Sequence, residues 1–299
     1  MLAGAGIRPN RRLGQNFLID GNLMRKLVGS ADIGPADVVL EVGPGTGSLT
    51  EMLLERAAHV VAVEVDGALY RLLASRLAGT ANLTLLNRDA LADKNHLAPE
   101  LVDAMQAAGT PRDTRSARGA RVMLVANLPY QVASPLIVEL LRSGLGITRL
   151  CFTVQKEVAE RIASPPGCKA YGPLSVAVQA TCDTTRITDL GASVFWPRPQ
   201  VASTMLRLDY NPSKAARIAD MAHFARVVRT CFLHRRKKLS HALAYLLGMK
   251  KLDPAEHPQL AAFDLSRRPE QLSVDEWIAL AEVAEIPPES RSPHHVSEL

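Results

Sequence analysis

The stretch Val38-Val39-Leu40-Glu41-Val42-Gly43-Pro44-Gly45-Thr46-Gly47-Ser48-Leu49 decides the fold. Val38 to Val42 read as a strand covered on both faces, because an apolar run without alternation leaves no side for water. The run breaks at three glycines spaced two apart and resumes as a helical pattern from Ser48 to Arg56. Strand, glycine turn and helix in that order are the building unit of a doubly wound parallel sheet.

The pattern repeats outward. Val60 to Val65 is a second strand, followed by the helical Ala68 to Leu77; Leu83 to Leu86 is a third strand and Val122 to Ala126 a fourth. A helix from Ser134 to about Arg142 leads to a strand at Leu150 to Val154. The expected class is therefore α/β, a mostly parallel Rossmann-like sheet, and such sheets bind ligands beyond the carboxyl ends of their strands. Between Asp93 and Arg121 the pattern lapses, and AAGTPRDTRSARGAR reads as a polar surface loop. After Arg207 strand signals vanish, and helical periodicity takes over in Ala219 to Thr230, Arg235 to Leu247 and Val274 to Ala284. The expected organisation is a sheet domain over 1–206, a smaller all-helical domain over 207–286, and a disordered tail over 287–299.

Composition removes several classes of function. No run of about 18 apolar residues could span a bilayer, and the opening MLAGAGIRPNRR lacks the apolar centre of a secretory signal. The four cysteines, Cys151, Cys168, Cys182 and Cys231, form no CxxC pair and no metal-ligand spacing with histidine. Reduced thiols, a cytoplasmic location, no membrane and no metal are the expectation. Net charge is +5 but unevenly placed: Arg207 to Lys250 carries ten Lys/Arg against two acidic residues, and Lys251 to Leu299 four against ten. A basic segment beside an acidic one points a positive face at a polyanion, most often nucleic acid.

The glycine turn lets the backbone approach a ligand with no side chain between them. Its G-x-G-x-G spacing is not the G-x-G-x-x-G of dinucleotide enzymes. Glu64, near the end of the second strand, is placed to accept hydrogen bonds from ribose hydroxyls. Asp89, after the third, is placed to accept from an adenine amino group. Glycine turn, Glu64 and Asp89 on successive strand ends fit a mononucleoside. S-adenosylmethionine has that shape and needs no phosphate-binding lysine.

The fourth strand ends at Asn127-Leu128-Pro129-Tyr130, an amide, a rigid turn and a ring with no charge. An exocyclic amine is a poor nucleophile because its lone pair is delocalised into its ring. An Asn carbonyl and a nearby backbone carbonyl accepting its N–H bonds favour a lone pair directed at a sulfonium methyl, which is positioning rather than deprotonation. Tyr130 is a platform on which a base could stack. After one methyl the nitrogen keeps one hydrogen, and a neutral, modestly sized Asn tolerates that.

Asn127-Leu128-Pro129-Tyr130 resembles the N-L-P-Y signature of the ribosomal RNA adenine dimethyltransferase family. Gly14 to Leu18, Gln155 to Arg161, and Val194 to Ser203 (similar to F-x-P-x-P-x-V-x-S) carry the same resemblance, which runs from about Arg11 to Ala284. DNA adenine and protein glutamine methyltransferases typically carry a second proline where this chain has Leu128. The resemblance implies a class I methyltransferase that dimethylates N6 of two adjacent adenosines in a hairpin near the 3′ end of small-subunit ribosomal RNA. It implies a cytoplasmic monomer with a role in small-subunit biogenesis. By motif, Asn16, Leu18, Gly43, Gly45, Glu64, Asp89 and Asn127 would line the S-adenosylmethionine site. Asn127, the Leu128 carbonyl and Tyr130 would hold the target amine, with Phe195 closing on the other face of the base. The basic helix His234-Arg235-Arg236-Lys237-Lys238 would contact phosphates, fixing register without reading sequence. Two alternatives stand beside this reading. One is a large-subunit enzyme of the macrolide-resistance type, and the other a non-catalytic assembly or transcription factor on the same fold.

Overall fold

The computed structural model describes residues 9–10, 13–93, 96–109 and 120–284. It divides into two compact units, Met1–Glu160 with Cys182–Asn211, and Arg161–Thr181 with Pro212–Leu299. The chain thus leaves the sheet unit, donates residues 161–181 to the helical unit, and returns before 207. The sequence expectation of one boundary at 206 missed this excursion, because the apolar helix it contains reads equally well as part of either domain.

In the first unit, β1 (Phe17–Leu18), α1 (Gly21–Ala31), β2 (Val38–Val42), α2 (Ser48–Leu54), β3 (His59–Val63), α3 (Gly67–Arg76) and β4 (Leu83–Leu86) come first. Then follow β5 (Leu91–Asp93), β6 (His96–Leu97), α4 (Pro99–Gly109), β7 (Val122–Asn127), α5 (Ala133–Arg142) and β8 (Ile147–Gln155). After α6 (Lys156–Ala163) and α7 (Pro173–Thr181), the unit is completed by β9 (Cys182–Leu190), β10 (Phe195–Trp196) and β11 (Ser203–Tyr210). The seven-stranded sheet has the order β4-β3-β2-β7-β8-β11-β9. The strands from β4 to β8 run parallel, while β11 runs antiparallel to both β8 and β9. Every residue of β2 is buried, as its unbroken apolar run requires. The order reverses between β2 and β7, and their carboxyl ends carry the glycine turn and Asn127. That is where a doubly wound sheet opens a crevice.

Three expectations need correction. The stretch after Asp93 is not loop throughout: α4 fills 99–109, with Leu101 and Met105 buried one turn apart. Its alanines had blurred the helical period, and residues 110–119 of the expected loop lie outside the described residues, as does the tail. Strand structure continues past Arg207, since β11 reaches Tyr210 and pairs with β9 along its whole length, with one register shift between Met205 and Leu206. The edge strand β9 is polar along most of its length, so its sequence carried no apolar signal.

In the second unit, α7 is joined by α8 (Pro212–Ala215), α9 (Met221–Leu233), α10 (Leu239–Leu246) and α11 (Val274–Val283). Phe232 sits between Tyr171 and Trp277, at ring-centroid distances of 6.1 and 5.4 Å, in a core shared with Phe224, Leu243 and Leu280. Asp220 caps α9, and Ser273 with Glu276 forms a reciprocal capping box on α11. The basic run is not a helix, which is the third correction. α9 ends at Leu233, His234 follows as its C-cap and Lys238 is already the N-cap of α10, so 234–238 form the turn between them. Arg235 in that turn pairs with Glu270 at 2.8 Å and donates to the Lys169 carbonyl at 2.8 Å. Arg236, Lys237 and Lys238 are exposed.

Candidate active site

Beyond the carboxyl ends of β2, β3, β4 and β7 the first unit encloses a cavity of about 130 Å³. Asn16, Gly43, Gly45, Glu64, Asp89, Asn127, Leu128 and Tyr130 all line it. Gly43 and Gly45 have φ of 75° and 57°, a backbone that side chains resist. A Cβ on Gly45 would lie 2.8 Å from the Phe17 ring, and one on Gly43 3.1 Å from Pro129. The turn is thereby pressed between the segment around β1 and the turn after β7, and its glycine N–H groups are held within the protein, Gly43 donating to the Val63 carbonyl and Gly47 to that of Pro44.

Glu64 is buried, and each carboxylate oxygen takes a different backbone N–H: Gly45 donates to Oε2 at 3.1 Å and Asp66 to Oε1 at 2.9 Å. Burial raises its pKa while those N–H donors pull the other way. Asp89 is exposed and accepts from the Leu91 N–H at 3.0 Å, which holds its carboxylate at the rim. Val65 beside them is 45% exposed and lines the same cavity, an apolar wall that sequence reading had taken as strand interior.

Glu41, one residue before the end of β2, is wholly buried, and burial with the nearby Glu64 charge pushes its pKa up to about 8. A carboxyl whose folded pKa is raised favours the fold most below its unfolded pKa, and that contribution is lost as pH rises through the folded value. Wild-type melting temperature should therefore decline relative to Glu41→Gln as pH is taken from about 5 to about 9. Thermal melts of both proteins across that range check it, and parallel curves would show that Glu41 does not titrate there.

Asn127 closes β7. Its Nδ2 donates to the Asn16 carbonyl at 2.8 Å, and its Oδ1 accepts from the Thr153 hydroxyl on the neighbouring strand β8. A carbonyl can only accept, so the bond to Asn16 fixes which end of the amide is nitrogen. Leu128 donates its N–H to the Thr153 carbonyl at 3.2 Å. The Tyr130 hydroxyl is within 2.8 Å of the Ser203 hydroxyl, and burial raises the pKa of the phenol, so the ring is neutral and held at its far end. Gln15 ties the N-terminal segment to the sheet by donating to Asp66 at 3.1 Å. Thr153 was missed in the sequence, and Ser203 was marked only as the last residue of the F-x-P-x-P-x-V-x-S resemblance, with no role. A lone hydroxyl in a strand has no local signature, and only register across β7 and β8 brings Thr153 to Asn127.

Two expected residues lie elsewhere. Leu18 is in the core and lines a smaller recess beside Gly43 and Asn127. Phe195 is 2% exposed and packed in the core, where it pairs with Leu18 across the short β1–β10 ribbon. In this position its ring does not reach the cavity to face a base. The exposed ring on that strand is Trp196, stacked on Phe17 with centroids 6.2 Å apart.

A family model described as ribosomal RNA adenine dimethylase matches residues 6–284. A protein named ribosomal RNA small subunit methyltransferase A from Moorella thermoacetica is 37% identical over 276 residues, covering 92% of each chain. One of the same name from Clostridium perfringens is 39% identical over 275 residues, 92% of this chain and 90% of its own. Among solved structures, a dimethyladenosine transferase from Plasmodium falciparum aligns with a TM-score of 0.65 at 23% identity, covering 88% of this chain and 95% of its own. The 23S rRNA methyltransferase ErmE aligns with a TM-score of 0.56 at 20% identity over 90% of this chain and 99% of its own, a likeness of fold.

Proposed function

Because the chain belongs to the ribosomal RNA adenine dimethylase family, we propose that its sheet unit binds S-adenosylmethionine in the cavity and presents there an extruded adenine N6 of small-subunit RNA. The enzyme is a ribosomal RNA adenine dimethyltransferase. The two target adenosines are adjacent in a hairpin near the 3′ end of the 16S RNA. The single observation that carries the site assignment is the placement of Glu64, Asp89 and Asn127 on one cavity wall, beside a glycine turn too tight for a Cβ.

The donor set fits the cofactor. Glu64 offers carboxylate lone pairs to the ribose hydroxyls, Asp89 takes the adenine amino group, and Val65 packs on the adenine face. When bound, the cofactor would supply an electrophilic methyl to the N6 lone pair, and N6 would give up one proton to solvent. The chain contributes position. Asn127 Oδ1 and the Leu128 carbonyl accept the N6 hydrogens, and the Tyr130 ring supports the base. An adenine stacked in a helix cannot reach this pocket, so extrusion is required.

The large-subunit alternative is not favoured, since the curated relatives at 37–39% identity bear the small-subunit name. Incubation with labelled S-adenosylmethionine and unmethylated subunits separates the two. Label in dimethyladenosine of small-subunit RNA is expected, and label confined to large-subunit RNA would overturn the reading.

The turn between α9 and α10 is the proposed phosphate contact, now resting on Arg236, Lys237 and Lys238, with Arg235 held to Glu270. Each lost phosphate contact lowers the slope of log K against log salt by about one. Replacing all three residues by Gln should reduce the slope by roughly two to three in filter-binding titrations. An unchanged slope would make the turn ordinary surface.

A further inference from the structure

Asn127 needs more than its side-chain type to work as an acceptor. The torsion that orients a terminal amide is broad and roughly two-fold, so the plane must be pinned from outside. It is pinned at both ends here: the Asn16 carbonyl takes one Nδ2 hydrogen, and the Thr153 hydroxyl donates to Oδ1. An amide oxygen has two lone pairs, so one remains. Thr153 is 1% exposed, in register with Asn127 across β7 and β8, and its own carbonyl holds the Leu128 N–H. One residue of β8 therefore ties down the Asn127 side chain and the backbone of Leu128 beside it.

We propose that Thr153 is a positioning residue for methyl transfer, a buried hydroxyl that never touches substrate and aims the remaining lone pair of Asn127 into the cavity. The inference rests on the reading of Asn127 given above. It also bears on the second transfer. After monomethylation N6 keeps one hydrogen, so orientation depends on fewer contacts and a loosened Asn127 harms the second step more than the first.

Thr153→Val keeps the branched shape and removes the donor, while Thr153→Ser keeps the hydroxyl. Thr153→Val should lower kcat about tenfold, the worth of one buried hydrogen bond. The Kd of S-adenosylmethionine and the KM of the subunit should stay within about twofold, and monomethyladenosine should accumulate. Without substrate, the Asn127 side-chain NH2 resonances of Thr153→Val should shift and broaden. Thr153→Ser should restore kcat, product ratio and spectrum. A fall in cofactor affinity matching the fall in kcat would mark a merely structural role and overturn the proposal, as would failure of a folded Thr153→Ser to recover. If Asn127→Ala keeps normal turnover, the reading of Asn127 itself fails. If Asn127→Ala is inactive while Thr153→Val matches wild type, only the role of Thr153 falls.

Discussion

Asn127→Ala should lower kcat by about 10²–10³, the cost of deleting one preorganised polar partner of a transition state, while the fold survives. The residue is half-buried at a strand end, and removing its side chain opens little core. Single-turnover methylation of small subunits measures the loss, and a melt within a few degrees of wild type shows that the sheet is intact. The more instructive variant is Asn127→Asp. A carboxylate is the same size, and deprotonation chemistry would gain from it. The structure forbids it for another reason: the Nδ2 position faces the Asn16 carbonyl at 2.8 Å, and an acceptor there meets an acceptor. Asp would be as inactive as Ala and would also displace the segment around Asn16, weakening cofactor binding, which Ala does less. Turnover by Asn127→Asp near the wild-type rate would overturn the positioning mechanism. The missing charge in Asn-Leu-Pro-Tyr thus has two causes, an amine that need not be deprotonated and a carbonyl that demands a donor.

How much of this was legible depended on whether the signal was local. β2, β3 and β7 announce themselves through unbroken apolar runs and β4 through leucines that only Thr84 interrupts, and the glycine turn and strand-end acids follow at fixed offsets. The parallel strands of the sheet and the polar residues at their carboxyl ends were therefore readable. β9 was not, because an edge strand facing water on much of its surface resembles a loop. The β1–β10 ribbon joins Phe17 to Trp196, and strands of two residues have no period to detect. Resemblance alone flagged those segments, and it placed Phe195 at the base where packing buries it in the core. The basic run was misread as helix because lysine and arginine are good helix formers. Leu239 begins α10 instead, with its N–H bonded to the Arg267 carbonyl. Thr153 was invisible for the opposite reason: its residue type is common, and only cross-strand register with Asn127 gives it meaning.

Glu64→Gln should cost about 10- to 100-fold in affinity for S-adenosylmethionine, although the substitution is nominally conservative. Two backbone N–H groups converge on two different oxygens of Glu64. An amide has one oxygen, so its NH2 must face either Gly45 N–H or Asp66 N–H, donor against donor. An unmet buried donor costs about 1–3 kcal/mol. Where the NH2 faces Gly45, the strain meets a turn with little room to yield, with the Phe17 ring against it. The affinity lost is the sum of a weakened ribose acceptor and a shifted glycine turn. Calorimetric titration of the cofactor measures it. The pH dependence supplies a second, independent reading. Burial raises the pKa of Glu64 above the ordinary carboxylate value, and only the ionised form accepts from both hydroxyls. Wild-type affinity should therefore fall on acidification earlier than an exposed carboxylate would dictate, and Glu64→Gln, already neutral, should lose that dependence. If Glu64→Gln binds the cofactor within twofold of wild type with an unchanged pH profile, the ribose is held elsewhere and the cavity wall must be reassigned.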